Sequence, residues 1–270
     1  MAPEEKLILV TNDDGVTSPG LKAAAAAVIE LGRVMVVAPS RQWSGAGRSF
    51  PKDSSGVIED YEMEVCGRSV EAFGVDATPA QAVLHATLEL LPRRPDLVVV
   101  GVNYGENLGA DVTISGTVGG ALQSATLGMP ALAVSLQTPP EMHDSPSAGV
   151  DFSAAIHFAR LFARRLLEVS LPFDVDVLKL DVPADATPST PWRLTRVSRQ
   201  TYFHAVPPSR ITRSQAGPMG YASRWDASEL EPDSDIYALA VDRVVSVAPM
   251  SLDLSSRVAR DEIEALLRGT

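Results

Sequence analysis

The chain reads as an α/β protein with a doubly wound, mainly parallel sheet, an inserted hairpin and a hairpin-rich C-terminal part. Three observations predict this. Short β-branched apolar runs alternate with stretches of helical apolar spacing through the first two-thirds of the sequence. Most of those runs stop at loops rich in Gly, Asn, Asp or Pro. Strands alternating with helices lie parallel, because each crossover returns the chain to the same end of the sheet and lays its helix on one face.

Taken in order, Lys6 to Thr11 is a compact apolar run stopped by Asn12-Asp13-Asp14-Gly15, which marks a buried strand. From about Gly20 to Leu31, the residues Leu21, Ala24, Ala25, Val28 and Ile29 fall on one helical face. Val34 to Ala38 is a second strand closed by Pro39, and the three pieces make a βαβ unit of ordinary length. Ser55 to Phe73 has short alternating runs instead, which predict a hairpin inserted into the core. Pro79 to Leu91 predicts a helix with proline in its first turn and Ala80, Val83, Leu84, Leu88 and Leu91 in phase. Leu97 to Val102 is a β-branched strand, and Asn103 to Ile114 a long polar loop. Gly116 to Leu127 is a helix with Val118, Ala121, Leu122 and Ala125 inward, followed by a strand from Ala131 to Leu136. Val150 to Val169 is helical, with Phe152, Ile156, Ala159, Ala163, Leu166 and Leu167 on its buried face. Past Pro183 the pattern weakens under repeated prolines; Ile236 to Val247 predicts strands and Ser255 to Leu267 a closing helix. The expected organisation is an α/β core over 1–183 and an extension over 184–270 that packs on the core.

The 270 residues are 45% apolar, enough for a substantial core. With 23 basic and 34 acidic residues the formal charge is −11, so bulk charge does not draw a nucleic-acid polymer to this protein. A phosphate-bearing partner has to be met locally, by a metal ion, a helix N-terminus or a few arginines. Cys66 is the only cysteine, which excludes an intramolecular disulfide and a multi-cysteine zinc site. The first apolar run, Leu7 to Val10, is too short for a signal peptide or membrane span, and the expectation is a soluble cytoplasmic protein without a membrane partner.

Ligand sites in parallel α/β sheets lie beyond the carboxyl ends of the strands. The loops Asn12 to Gly15, Arg41 to Ser49 and Asn103 to Thr117 all fall there, and they contain all three asparagines of the chain, Asn12, Asn103 and Asn107. Asp13 and Asp14 are the sharpest feature. Adjacent carboxylates at the end of a buried strand repel each other and cost several kcal/mol to desolvate. A hard divalent cation resolves both problems with oxygen ligands; an Asp-Gly turn bonded to backbone amides is the plain alternative. In Arg41 to Ser49, Gly45 and Gly47 allow close backbone approach and Ser44 offers an oxygen, though Phe50 stands where a dinucleotide fingerprint needs its third glycine. Ser115-Gly116-Thr117 opens a helix, so Ser115 is either an ordinary cap or part of an anion-binding helix start. No Gly-x-Ser-x-Gly elbow and no phosphate-binding Gly-x-x-x-x-Gly-Lys-Ser/Thr loop occurs. His85, His143, His157 and His204 lack metal-ligand spacing; His85 and His157 fall in predicted helices, and His204 sits in a loop with Tyr202 and Phe203, where it could touch substrate.

Together these segments resemble the SurE family of 5′/3′-nucleotidases. The resemblance is carried by Leu9 to Val16 with Ser18-Pro19-Gly20-Leu21, by Val37-Ala38-Pro39 and Arg41 with Ser44 to Gly47, and by Pro95 to Val99 running into Gly101 to Gly105 and Asn107-Leu108-Gly109. Ser115 to Gly119 and Gly128 to Ser135 complete it; beyond Pro183 it thins to Asp242 and Val245 to Pro249. The resemblance implies a Rossmann-like core and a metal-dependent phosphatase acting on nucleoside 5′- and 3′-monophosphates and on short polyphosphate. It implies one divalent ion, Mg²⁺ or Mn²⁺, held by Asp13, Asp14, Ser44 and Asn103, with Asp13 and Asp14 catalytic and Asn107, Ser115, Gly116 and Thr117 on the phosphate. It also implies that 1–183 is the catalytic core and that residues 184–270 build a homodimer or homotetramer. Two departures from the family pattern are Gln81 and Gln123, where the family carries acidic residues. Two other readings stay open. An aspartyl-phosphate phosphatase of the haloacid dehalogenase kind would overlay its Asp-x-Asp-Gly on Asn12 to Gly15, with Asn12 in the nucleophile's place. A nucleotide-binding regulatory protein would bind without turnover.

Overall fold

The computed structural model describes residues 5–143, 147 and 149–269. It begins with β1 (Leu7–Thr11), α1 (Pro19–Val28) and β2 (Arg33–Pro39), the expected βαβ unit. Ser18 caps α1, its side chain accepting the Gly20 amide, and Pro19 opens the first turn. The expected hairpin follows as β3 (Ile58–Val65) and β4 (Arg68–Val75). It widens the main sheet, since β4 lies parallel to β2 and β3 forms the outer edge. On β3, Tyr61, Met63 and Val65 turn inward while Glu59, Asp60, Glu62 and Glu64 are exposed.

The helix expected from Pro79 to Leu91 is α2 (Pro79–His85), followed by a π-helical turn over Ala86–Leu90. Then come β5 (Leu97–Tyr104), a 3-10 turn over Gly109–Thr113, α3 (Gly116–Thr126), β6 (Ala131–Leu136) and α4 (Ser153–Glu168). The polar loop expected from Asn103 is therefore shorter than its sequence suggests, because β5 runs on to Tyr104. A strand not expected from the sequence, β7 (Val177–Val182), follows α4. Lys179 and Asp181 hide it by breaking an apolar run, yet both are fully buried.

The C-terminal part supplies β8 (Trp192–Leu194), β9 (Phe203–Val206), β10 (Gly220–Ser223), β11 (Val245–Met250) and α5 (Arg260–Arg268). The strand expectation over Ile236 to Val247 holds only from Val245. Tyr237–Val241 is a π-helical turn, with the Tyr237 amide bonded to the Ser234 hydroxyl. A short buried apolar run has no periodicity that separates the two states.

The sheet order is β3-β4-β2-β1-β5-β6-β7-β11-β8, with β4, β2, β1, β5, β6 and β7 parallel and β11 antiparallel to β7. Helices α1 and α4 cover one face with residues such as Leu21, Val28, Phe158 and Phe162. Helices α2 and α3 cover the other through Val83, Ala121 and Ala125. The strand order reverses between β1 and β5, which opens a crevice at their carboxyl ends. Among the described residues no helix is long and apolar enough to cross a membrane.

Candidate active site at the switch point

Residues 12–15 leave β1 straight into that crevice. Asn12 is fully buried and closes the turn on itself: its Nδ2 donates to the Gly15 carbonyl and its Oδ1 accepts the Gly15 amide, both at 3.2 Å. Gly15 takes φ +102°, a conformation that strains any residue with a side chain. Asn12 is thus committed to the turn, and Asp13 and Asp14 are the pair presented beyond the strand.

Both carboxylates are buried. Asp13 Oδ1 accepts the Thr117 hydroxyl at 2.5 Å. Burial pushes the Asp13 carboxyl above the ordinary range, while Thr117 and the Thr117 and Gly116 amides pull it back. Asp14 is pushed well above the ordinary range by burial and then by the charge of Asp13. Its own contacts are long: Tyr104 N–H to Oδ2 and Gln42 Nε2 to Oδ1, each 3.4 Å. No lysine or arginine pairs with either one among the described residues. Two buried like charges with no counter-ion fit a bound cation.

The second loop is tied to the first by the Trp43 amide, which donates to the Asp13 carbonyl at 2.7 Å. Gln42 Nε2 reaches the Ser44 hydroxyl at 2.9 Å and the His143 carbonyl at 2.6 Å. Ser44 is therefore held beside Asp14 through a shared glutamine. Asn103, at the end of β5, donates Nδ2 to the carbonyls of Gly105 at 2.7 Å and Tyr104 at 3.3 Å. Its side-chain oxygen accepts no hydrogen bond among the described residues. Carboxylate, hydroxyl and amide oxygens are the donors that suit a hard cation such as Mg²⁺ or Mn²⁺. No group of three or more His, Cys, Asp or Glu side chains among the described residues is arranged to hold a metal; the candidate set has only two acidic members.

Helix α3 aims its N-terminus at the same point. Ser115 is its cap, Oγ accepting the Val118 amide at 3.1 Å. Gly116 passes so close to Asp13 that a Cβ there would stand 2.6 Å from Oδ2. The helix start faces Asp13 with amides and the positive end of its dipole. Asn107 is half-buried beside the end of β6, with Nδ2 on the Ser135 hydroxyl at 2.8 Å and no second Nδ2 hydrogen bond among the described residues. The fold thus brings Asp13, Asp14, Gly116 and Thr117 into direct contact or near it, Ser44 and Asn103 to their flank, and Asn107 to the neighbouring strand end.

The two departures have structural roles. Gln81 forms a capping box with Thr78 at the start of α2 and accepts the Ser54 hydroxyl. Gln123 accepts Arg48 Nε at 2.8 Å, tying α3 to the second loop. His204 sits on β9 and is exposed. Sequence reasoning missed His143, whose ring packs on Gly105, with Nε2 against the Thr138 carbonyl and Nδ1 at the Tyr221 hydroxyl. It also missed Gln42 and the fully buried Lys179, Asp181 and Asp235. The one available signal was a polar pair, Lys179 and Asp181, two apart in an otherwise apolar stretch.

These features define an open α/β sheet protein with an oxygen-rich candidate site at its topological switch point. The family model described as Survival protein SurE matches residues 8–204, and the chain belongs to the SurE family. It is 39% identical to the 5′-nucleotidase SurE of Thermococcus gammatolerans, across 97% of this chain and 96% of that one. It is 38% identical to the 5′-nucleotidase SurE of Thermococcus kodakarensis, across 96% and 98%. Among solved structures, the SurE protein from Aquifex aeolicus is similar at a TM-score of 0.73 and 29% identity, covering 97% of this chain and 99% of its own.

Proposed function

We propose that this protein is a divalent-metal-dependent phosphomonoesterase. It hydrolyses nucleoside 5′-monophosphates, and 3′-monophosphates as well, to nucleoside and phosphate. The observation that carries this reading is the buried Asp13–Asp14 pair without a counter-ion, set against the N-terminus of α3 at the switch point. The names of full-length relatives, 5′-nucleotidase SurE, support the substrate class.

Asp13, Asp14, Ser44 and Asn103 would hold the ion. When bound, Mg²⁺ or Mn²⁺ supplies charge neutralisation at the phosphoryl oxygens and acidifies a water. The chain's own groups do the rest. Thr117 and the first amides of α3 fix Asp13, so its carboxylate keeps one orientation throughout the reaction. Among the described residues Asp14 has two contacts, each 3.4 Å, which leaves it the freer carboxylate to take the proton of the attacking water. The second amide hydrogen of Asn107 and the positive helix end at Ser115 to Thr117 would meet the phosphoryl group. Such donors help most where negative charge grows in the transition state. Short polyphosphate offers the same terminal phosphoryl group and is a second substrate class.

We also infer assembly into a homodimer or homotetramer through residues 184–270. There Ile211, Met219, Leu254, Leu266 and Leu267 are largely exposed, and a second copy packed on them would cover that apolar surface. The free exposed Cys66 suits a reducing, cytoplasmic setting.

The test is phosphate release from 5′- and 3′-nucleoside monophosphates with Mg²⁺, with Mn²⁺ and in chelator. Release from at least one nucleotide with metal, abolished by chelator, is expected. Undiminished release after thorough metal stripping overturns the mechanism, and metal-independent binding without release points to a regulatory protein.

A further inference from the structure

Behind the crevice lies a charged cluster with no exposure at all. Lys179 and Asp181 point the same way from β7, and Asp235 comes from the C-terminal part; all three side chains are fully buried. Lys179 Nζ bonds Asp181 Oδ2, lies 3.1 Å from Asp235 Oδ2 and donates to the Asn107 carbonyl at 2.7 Å. Asp181 Oδ1 accepts the Asn107 amide at 2.8 Å, and Asp235 Oδ2 accepts the Gly109 amide at 3.1 Å. The second oxygen of Asp235 accepts the amides of Ser198 and Ile236, both at 2.9 Å. Burial works against the Lys179 charge, but the two carboxylates outweigh it and hold its pKa above the ordinary lysine value.

A buried ion triad is a poor way to gain stability, since apolar residues of the same volume do as well or better. This one is distinguished by what it grips. The amide and carbonyl of Asn107 and the amide of Gly109 are three polar groups of one short loop, and each is bonded by a different member of the triad. Asn107 is also the residue placed on the phosphate under the reading above.

We propose that Lys179, Asp181 and Asp235 are positioning residues: they fix the Asn107–Gly109 loop in its phosphate-binding geometry and make phosphate capture depend on the C-terminal segment that brings Asp235. This rests on the assignment of Asn107 to the phosphate. In consequence the site is incomplete without residues far outside its loops, and the Ser198–Asp235 connection is part of how substrate is held.

The experiment is a double-mutant cycle on the full chain, read two ways. One reading is kcat and KM with whichever nucleoside monophosphate the metal panel selects. The other is the thermal protection that inorganic phosphate gives without any turnover. The variants are Asn107→Ala, Lys179→Met/Asp235→Asn, and both together. Asn107→Ala should lower kcat/KM about tenfold or more and weaken phosphate protection. The Lys179→Met/Asp235→Asn pair should do the same, chiefly through KM. In the Asn107→Ala background it should add almost nothing, because the residue it positions is gone. If the pair does not fold, Asp235→Asn alone keeps one of the two acceptor oxygens and leaves Lys179 balanced by Asp181. Its smaller loss, about threefold, should vanish in the same way in the Asn107→Ala background. Fully additive effects, or a folded triad variant with normal KM and normal phosphate protection, overturn the positioning role while leaving Asn107 in place. An Asn107→Ala protein with normal kinetics and normal protection overturns the phosphate assignment, and this proposal with it.

Discussion

At the scale of single residues the site is crowded around one carboxylate. Asp13 touches Thr117, and a methyl group on Gly116 would overlap it, at 2.6 Å from Oδ2 and 2.7 Å from Cβ. Gly116→Ala should therefore move Asp13 and lower kcat by about a hundredfold, the order expected of a misplacement near 1 Å. Its melting temperature should stay within a few degrees of wild type, since alanine favours the helix. An unchanged kcat would show that Asp13 has no fixed place in the reaction. Asp13→Asn and Asp14→Asn should each cost at least about a hundredfold in turnover. Both should fold, because each substitution relieves a buried repulsion; near-normal turnover in both would leave only a turn motif. Glu106 tests burial on its own. Its Oε2 has no partner among the described residues, and burial holds its carboxyl above the ordinary glutamate value, with the charge of Asp181 adding to it. A raised folded pKa means that the protonated form favours folding. That contribution is whole below about pH 4.5 and is lost as pH rises through the folded value. The stability of Glu106→Gln relative to wild type should accordingly climb with pH above about 4.5 and then level off. A flat or falling difference in melts across that range would refute the burial account.

At the scale of elements, the start of α3 separates capping from chemistry. Ser115→Ala removes an N-cap and should cost about 0.5–2 kcal/mol of stability. If the helix start also serves the phosphate, kcat/KM should fall by more than that loss explains, measured well below the melting temperature, and inorganic phosphate should protect the mutant less. Equal protection and unchanged kinetics would reduce Ser115 to a cap. Elements of this kind were legible in the sequence. The strand, acidic turn and helix from Leu7 to Val28 follow from an apolar run, two adjacent carboxylates and a Ser-Pro helix start. The loop carrying Ser44 and the helix opening at Gly116 follow from glycines, which permit close approach, and from a capping serine. What was not legible depends on partners far away in the chain. Strand β7 is obscured by Lys179, a residue that suggests a surface until Asp235 is placed beside it. The turn at Tyr237–Val241 has strand-like composition and becomes helical through a local cap and tertiary burial. Gln42 and His143 belong to unremarkable loop sequences; only the fold sets the Gln42 amide between Asp14 and Ser44, with the His143 carbonyl against it.

At the scale of the whole molecule, the C-terminal residues are woven into the core. β11 pairs with β7 along Val177 to Asp181, and β8 pairs in turn with β11. A chain ending at Pro183 would expose the length of β7 and strip Asp235 from a buried lysine. It should fail to give a cooperative melt or a sharp gel-filtration peak, whereas removal of α5, whose residues are not buried, should leave the melt cooperative. A well-folded 1–183 fragment would show that the sheet closes without its last strands.

The opposite border of the sheet has a bearing on how the protein behaves in crowded solution. β3 ends the sheet there with free backbone groups, the kind of border along which chains can stack into filaments. It carries Glu59, Asp60, Glu62 and Glu64 in full view of solvent. Two copies approaching side by side along this strand would meet with like charges only a few ångströms apart. The row acts as a colloidal fence, and it reaches about 10 Å at 0.1 M salt but only about 3 Å at 1 M. Concentrated protein should therefore scatter little light in dilute buffer. Replacing these four acids with threonine should make it cloud on standing, with a rise in thioflavin binding, while the site on the far side of β1 keeps its kinetics.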